Sequence, residues 1–165
     1  MDILIIRHGV AEDAVPDGND AQRALTRKGR VHLEESARGL VRLIPRLNVL
    51  ATSPLVRAIE TARILSAAYG NQFVLQTEVL TPGVNNLDVG HWLDSHPADA
   101  TVALVGHEPG LSQLIGWLTT GTDHSLFCDL KKGGAALVTG KKPLASNRSR
   151  LAWLLTPKQL RLMGR

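Results

Sequence analysis

Two four-residue apolar runs, Ile3-Leu4-Ile5-Ile6 and Val102-Ala103-Leu104-Val105, constrain this chain most. Each is too short for a core helix and carries no polar residue to face water. Such runs suit central strands of a sheet covered on both faces. Strand-like runs alternate with segments of helical period, the pattern of an α/β fold with a mainly parallel central sheet flanked by helices on both faces.

The first run predicts a strand over 2–7. A polar, turn-rich loop follows over 12–23. Thr26 caps a predicted helix ending near Ile44, where Pro45 disfavours helical geometry, with a stripe of Leu33, Ala37, Leu40, Val41 and Ile44. Residues 48–52 read as a short strand. Ser53-Pro54 then reads as an N-cap and first helical residue, with Leu55, Ile59, Ala62 and Leu65 inward and an end near Gly70. Residues 73–75 predict a short strand, 87–93 a short helix and 101–106 the second strong strand. A helix through Leu111, Leu114, Ile115 and Leu118 follows. Strands over 135–139 and 151–155 finish the chain, and the loop between them suits an antiparallel pair. No linker or repeat interrupts the 165 residues, so a single domain over 1–165 is expected.

Composition narrows the function classes. Hydrophobic residues make up 44% and charged residues 21%, ordinary for a globular protein. No apolar stretch reaches the length of a membrane span, and no signal-peptide pattern precedes the first strand. Net charge is +4, but the basic residues are scattered and aromatics are only 4%, which argues against nucleic acid. The one cysteine, Cys128, excludes an internal disulfide and fits a reducing cytoplasm, and no metal-ligand spacing is present. No cofactor is called for.

Both strong runs end in chemistry: the first in Arg7-His8-Gly9, the second in Gly106-His107. Ligands of open α/β sheets collect at the carboxyl ends of the strands. Arg57 opens on the same rim from the start of a helix, off the 55/59/62/65 stripe. Arginine forks bind phosphate bidentately and stay charged, and a neutral imidazole can attack phosphorus. Arg7, His8, Arg57 and His107 are therefore the candidate catalytic and phosphate-binding residues, in roles that need no metal.

Other residues read as structural. His32, His91, His96 and His124 have no arginine close in sequence. Glu12 and Asp13 belong to a solvated loop, and Glu108 caps the helix after His107. Trp92, Trp117 and Trp153 are packing residues, and Cys128 has no partner that would make it a nucleophile. Lys131-Lys132 and Lys141-Lys142 read as solvated turn charges that also favour an anionic phosphoprotein.

Arg7-His8-Gly9, Ser53-Pro54-x-x-Arg57-Ala58-x-x-Thr61-Ala62 and Gly106-His107, in this order, resemble the histidine phosphatase superfamily, in its phosphoglycerate-mutase-like branch. Leu25-Thr26-x-x-Gly29, Val105-Gly106-His107-Glu108-Pro109 and Thr156-Pro157-Lys158-Gln159-Leu160 are most similar to SixA-type phosphohistidine phosphatases. The resemblance implies a phosphoglycerate-mutase-like fold and His8 as the nucleophile that becomes phosphorylated. It implies Arg7, Arg57 and His107 as the rest of the phosphate pocket, and a phosphohistidine protein as substrate. Larger members of the branch carry an acid in an insertion this chain lacks; Glu78 is the nearest candidate, or a solvent-facing glutamate. A small-molecule phosphomonoesterase and a non-catalytic phosphate-binding module remain the alternatives.

Overall fold

The computed structural model describes all residues apart from 15, 17 and 123–127, so His124 and Asp17 lie outside the described residues. One six-stranded sheet organises the chain: β1 (Asp2–Arg7), β2 (Val49–Thr52), β3 (Val74–Gln76), β4 (Thr101–Gly106), β5 (Ala135–Gly140) and β6 (Ser149–Leu155). The order across it is β3-β2-β4-β1-β5-β6. The first four strands are parallel, and β5 runs antiparallel to both β1 and β6. The helices are α1 (Arg27–Leu43), α2 (Val56–Ala68), α3 (Asn86–Asp94), α4 (Gly110–Thr120) and α5 (Pro157–Met163).

The apolar runs sit where two-sided burial requires them. Ile3 and Ile5 join one core with Val102 and Leu104, packed by Val89 and Leu93 of α3 and Leu111, Leu114, Ile115 and Leu118 of α4. Leu4 and Ile6 alternate into the other core with Ala103 and Val105, under Ala37 and Leu40 of α1, Ala58, Ala62 and Leu65 of α2, and Leu160 of α5. A strand's side chains alternate between its faces, so one uninterrupted run feeds both cores. Trp92 and Trp117 pack against the first core and Trp153 against the second, as packing residues should.

Thr26 caps α1, its hydroxyl accepting from the Gly29 N–H. Three local expectations are corrected. Helix α2 starts at Val56, not at Pro54, and its N-cap position, Leu55, has no side-chain cap. Its buried face is Arg57, Ala58, Thr61, Ala62 and Leu65, so Arg57 lies on the inward stripe while Leu55 and Ile59 are only half-buried. Tertiary packing, rather than the apolar spacing, selects that face. The third correction is α5, for which the sequence reading predicts no helix after the strand over 151–155. Thr156 and Gln159 form a reciprocal capping box around Pro157 at the helix start, a signal present in Thr-Pro-Lys-Gln. Gly39 lets α5 approach α1: a Cβ there would stand 2.1 Å from the Leu160 carbonyl oxygen.

Lys142 is also not a free turn charge. Its ammonium donates to the carbonyls of Asp94 and His96 and ties the β5–β6 connection to the end of α3. Lys131 pairs with Asp129 at the surface.

Candidate active site

Sheet register explains why residues far apart in sequence meet. In the parallel pair β1–β4, Arg7 stands opposite Gly106, so His8 and His107 are the next residues on neighbouring strand ends. The His8 N–H donates to the Gly106 carbonyl at 3.1 Å, and the two ring centroids are 5.1 Å apart. That separation follows from the spacing of about 4.8 Å between adjacent strands. On the other side of β4, Thr52 stands opposite Val105, and the Ser53 N–H donates to the Val105 carbonyl. Ser53, His107 and His8 thus form consecutive steps along the rim.

The His8 ring is oriented from its own backbone. Its Nδ1 lies 2.7 Å from the Gly9 carbonyl oxygen. A carbonyl only accepts, so the ring proton sits on Nδ1 and the lone pair on Nε2. Burial holds the His8 pKa down to about 3, with the charges of His107, Arg57 and Arg7 acting in the same direction. The imidazole is neutral across the physiological range. The Gly9 N–H donates to Thr61 Oγ1 at 3.1 Å, and that hydroxyl donates to the Arg57 carbonyl at 2.7 Å. Thr61, four residues after Arg57 on α2, therefore links the second arginine's helix to the loop that orients His8.

His107 is fixed from its far side. Ser53 Oγ accepts from the Leu55 N–H at 3.3 Å and lies 2.9 Å from His107 Nε2, to which its own proton can be donated. With Ser53 as donor the proton of the neutral ring sits on Nδ1, which is buried. Burial, then the Arg57 charge, lowers the His107 pKa to about 4.

The guanidinium groups are anchored by one edge each. Arg7 donates through Nη1 to the Leu130 carbonyl at 2.9 Å. The segment carrying Leu130 is held against β1 by the Gly133 N–H, which donates to the carbonyls of Arg7 and His8. Gly133 has φ +76°, a conformation suited to glycine. Arg57, only 5% exposed, donates to the Asp20 carbonyl at 2.8 Å and to its carboxylate at 3.0 Å. Arg23 shares that carboxylate at 2.7 Å, and the two arginines hold Asp20 below the usual carboxylate range, Arg23 foremost. Arg7 Nε, Arg57 Nε and His107 Nδ1 are all buried and have no hydrogen-bond partner among the described residues. Two unpartnered arginine N–H groups and an unpartnered ring nitrogen, all buried near a neutral imidazole, suit an oxyanion with several acceptor oxygens.

The sequence singled out Arg7, His8, Arg57 and His107, and these four stand together. Glu78 does not join them: it is exposed in the short turn Glu78–Leu80, and its carboxylate accepts from the Thr81 hydroxyl at 3.0 Å. Glu108 caps α4 by accepting from the Ser112 N–H and hydroxyl. Burial pushes the Cys128 thiol up, away from nucleophilic character. Three contributors were not assigned from sequence. Ser53 was read as a helix cap, Thr61 stands in the motif that carries the family resemblance but was given no role, and Asp20 lies in a polar loop with no periodicity. Among the described residues no three His, Cys, Asp or Glu side chains gather as a metal-ligating group. No helix among them is long and apolar enough to cross a membrane.

Comparison with known proteins places this geometry. A solved structure of the protein histidine phosphatase SixA complexed with tungstate has a TM-score of 0.83 at 23% identity, over 97% of this chain and 99% of that one. The native structure of a mycobacterial glucosyl-3-phosphoglycerate phosphatase has a TM-score of 0.74 at 18% identity, over 94% of this chain and 99% of that one. At these identities the likeness establishes the fold. An uncharacterized protein of Picosynechococcus sp. is 34% identical over 165 residues, covering 97% of this chain and 99% of its own length. Residues 3–104, more than half of the chain, match the family model described as histidine phosphatase superfamily (branch 1), and the chain belongs to that superfamily.

Proposed function

We propose that this chain is a metal-independent phosphatase that works through a phosphohistidine on His8 and acts on phosphohistidine in proteins. The observation that carries the reading is the oriented, neutral His8: Nδ1–H is tied to the Gly9 carbonyl and Nε2 holds the lone pair beside His107. In this reading Nε2 attacks phosphorus while Arg7, Arg57 and the Nδ1–H of His107 neutralise the phosphoryl oxygens. The bond from phosphorus to the substrate imidazole breaks, and that imidazole, already protonated on its other nitrogen, leaves neutral. Water then attacks the phosphorylated His8. The P–N bond breaks, both water protons stay on the released dihydrogen phosphate, and the neutral ring is restored.

An alkoxide leaving from serine or a sugar needs a proton in the transition state, help that typically contributes ~10²–10⁴-fold. Asp20, the carboxylate that meets Arg57, is held ionised by two arginines and is a poor proton donor. Glu78 is turned to Thr81. An imidazole leaving group avoids this need, which supports the phosphoramidate over the ester.

The test is to trap the phosphoenzyme with labelled phosphoramidate and map the label, then compare phosphohistidine and phosphoserine peptides. We expect an acid-labile, base-stable label on His8, and no label or turnover after His8→Ala although phosphate still binds. A label elsewhere, or serine and sugar phosphates turned over far faster than phosphohistidine, overturns the reading. Partner binding by the intact chain without turnover makes it a binding module instead.

A further inference from the structure

A second hollow, open to solvent on one side, adjoins the anion pocket through His107. It lies between the turn after β3, the first half of α3 and the start of α4. Leu80, Val84, Val89, Leu111 and Leu114 give it aliphatic walls, and Thr81 and Asn86 add polar side chains. No residue of its wall carries a formal charge, and the His107 ring it shares with the pocket is neutral at physiological pH. Gly83 and Gly110 also line it, and a Cβ built at either position meets nothing within 4 Å. Gly83 has φ +89°, where side chains are strained, whereas Gly110 begins α4 and tolerates one.

We propose that this hollow is the subsite for the leaving group and selects an apolar or aromatic one. The inference rests on the phosphatase reading and deepens it. A group bonded to a phosphorus held between His8 and His107 has the hollow directly alongside. There an aromatic ring loses water against aliphatic side chains, which is favourable. A sugar or a zwitterionic amino acid loses water against the same wall and finds only Thr81 and Asn86 as polar side-chain partners, with no charge to meet its own, which is unfavourable. The imidazole of a phosphohistidine belongs to the first class. Hydrophobic pockets discriminate modestly, about 10–200-fold for each methylene-sized difference.

The experiment compares two donors that share the phosphoryl group and differ in what leaves: phosphoramidate, which releases ammonia, and 1-naphthyl phosphate. Gly110→Ala and Gly110→Val add bulk at the wall of the hollow in two steps. The ratio of kcat/KM for naphthyl phosphate to that for phosphoramidate is expected to fall stepwise, by at least tenfold in the valine variant. Inhibition by benzylphosphonate should weaken with it, relative to inhibition by inorganic phosphate. A ratio within twofold of the parent in both variants overturns the subsite and leaves the phosphatase reading standing. No turnover of either donor by the unaltered protein overturns the phosphatase reading, and the subsite with it.

Discussion

Acid should unfold this protein through two particular rings. His8 and His107 have folded pKa values of about 3 and about 4, against 6.5 for an unperturbed histidine. Burial is the leading cause for both, and neighbouring arginines add to it. A base whose folded pKa is depressed is stabilising while it stays neutral. Its contribution is complete above pH 6.5 and is lost as pH falls from 6.5 towards the folded value, because the unfolded chain then binds protons the folded one refuses. Between pH 7 and pH 5 each ring withdraws roughly 2 kcal/mol, or about 4 kcal/mol together, taking ~1.4 kcal/mol per pKa unit. Net stabilities of small domains are about 5–15 kcal/mol, so a loss of this size is easily measured.

Urea denaturation followed by tryptophan fluorescence at pH 7 and pH 5, at constant ionic strength, reads it directly. His8→Gln and His107→Gln should each remove about half of the pH dependence, and the double variant most of it. Asp20 also has its pKa lowered and loses stability in the same direction, but only as pH falls through and below the usual carboxylate range, so stopping at pH 5 keeps it separate. Equal stability at the two pH values, or an undiminished loss in the double glutamine variant, refutes the claim that these rings are held neutral by burial. The same property keeps the His8 lone pair available, so stability and nucleophilicity stand or fall on one measurement.

Three further outcomes follow from individual contacts. Arg57→Lys keeps the charge but loses the planar fork shared between Asp20 and the pocket; we expect kcat/KM to fall by roughly 10²-fold or more while the unfolding midpoint changes little. Ser53→Ala leaves His107 Nε2 without its 2.9 Å partner, and should cost about 1 kcal/mol in urea unfolding and shift the acid limb of the rate profile. Gly39→Ala drives a methyl group into the Leu160 carbonyl and should destabilise the protein by ~2 kcal/mol or more by separating α5 from α1, with phosphate affinity at saturating folded protein unchanged.

Much of the fold was legible because local rules and burial agree along most of the chain. The runs over 3–6 and 102–105 have no polar residue to expose, and Thr26 is followed by a helical stripe; structure and reading coincide there. They part at α2, where Ser53-Pro54 has all the marks of a helix start yet Ser53 is bonded to His107. A hydroxyl has more than one use, and which partner it takes depends on what the neighbouring strand brings alongside. Helix α5 carried a readable capping box but is only seven residues long, too short to announce itself by periodicity.

The sequence by itself determined the chemistry available: two histidines and two arginines placed at the ends of apolar runs or the start of a helix, and strands that must be covered on both faces. How these groups are used depends on the assembled sheet. Sheet order placed β4 between β1 and β2, and register set His8, His107 and Ser53 side by side. Packing turned Arg57 inward to meet Asp20 and formed the apolar hollow beside His107. Side-chain identity is a local property, whereas proton position, burial and neighbour depend on strands joined through space, and no stretch of sequence encodes those alone.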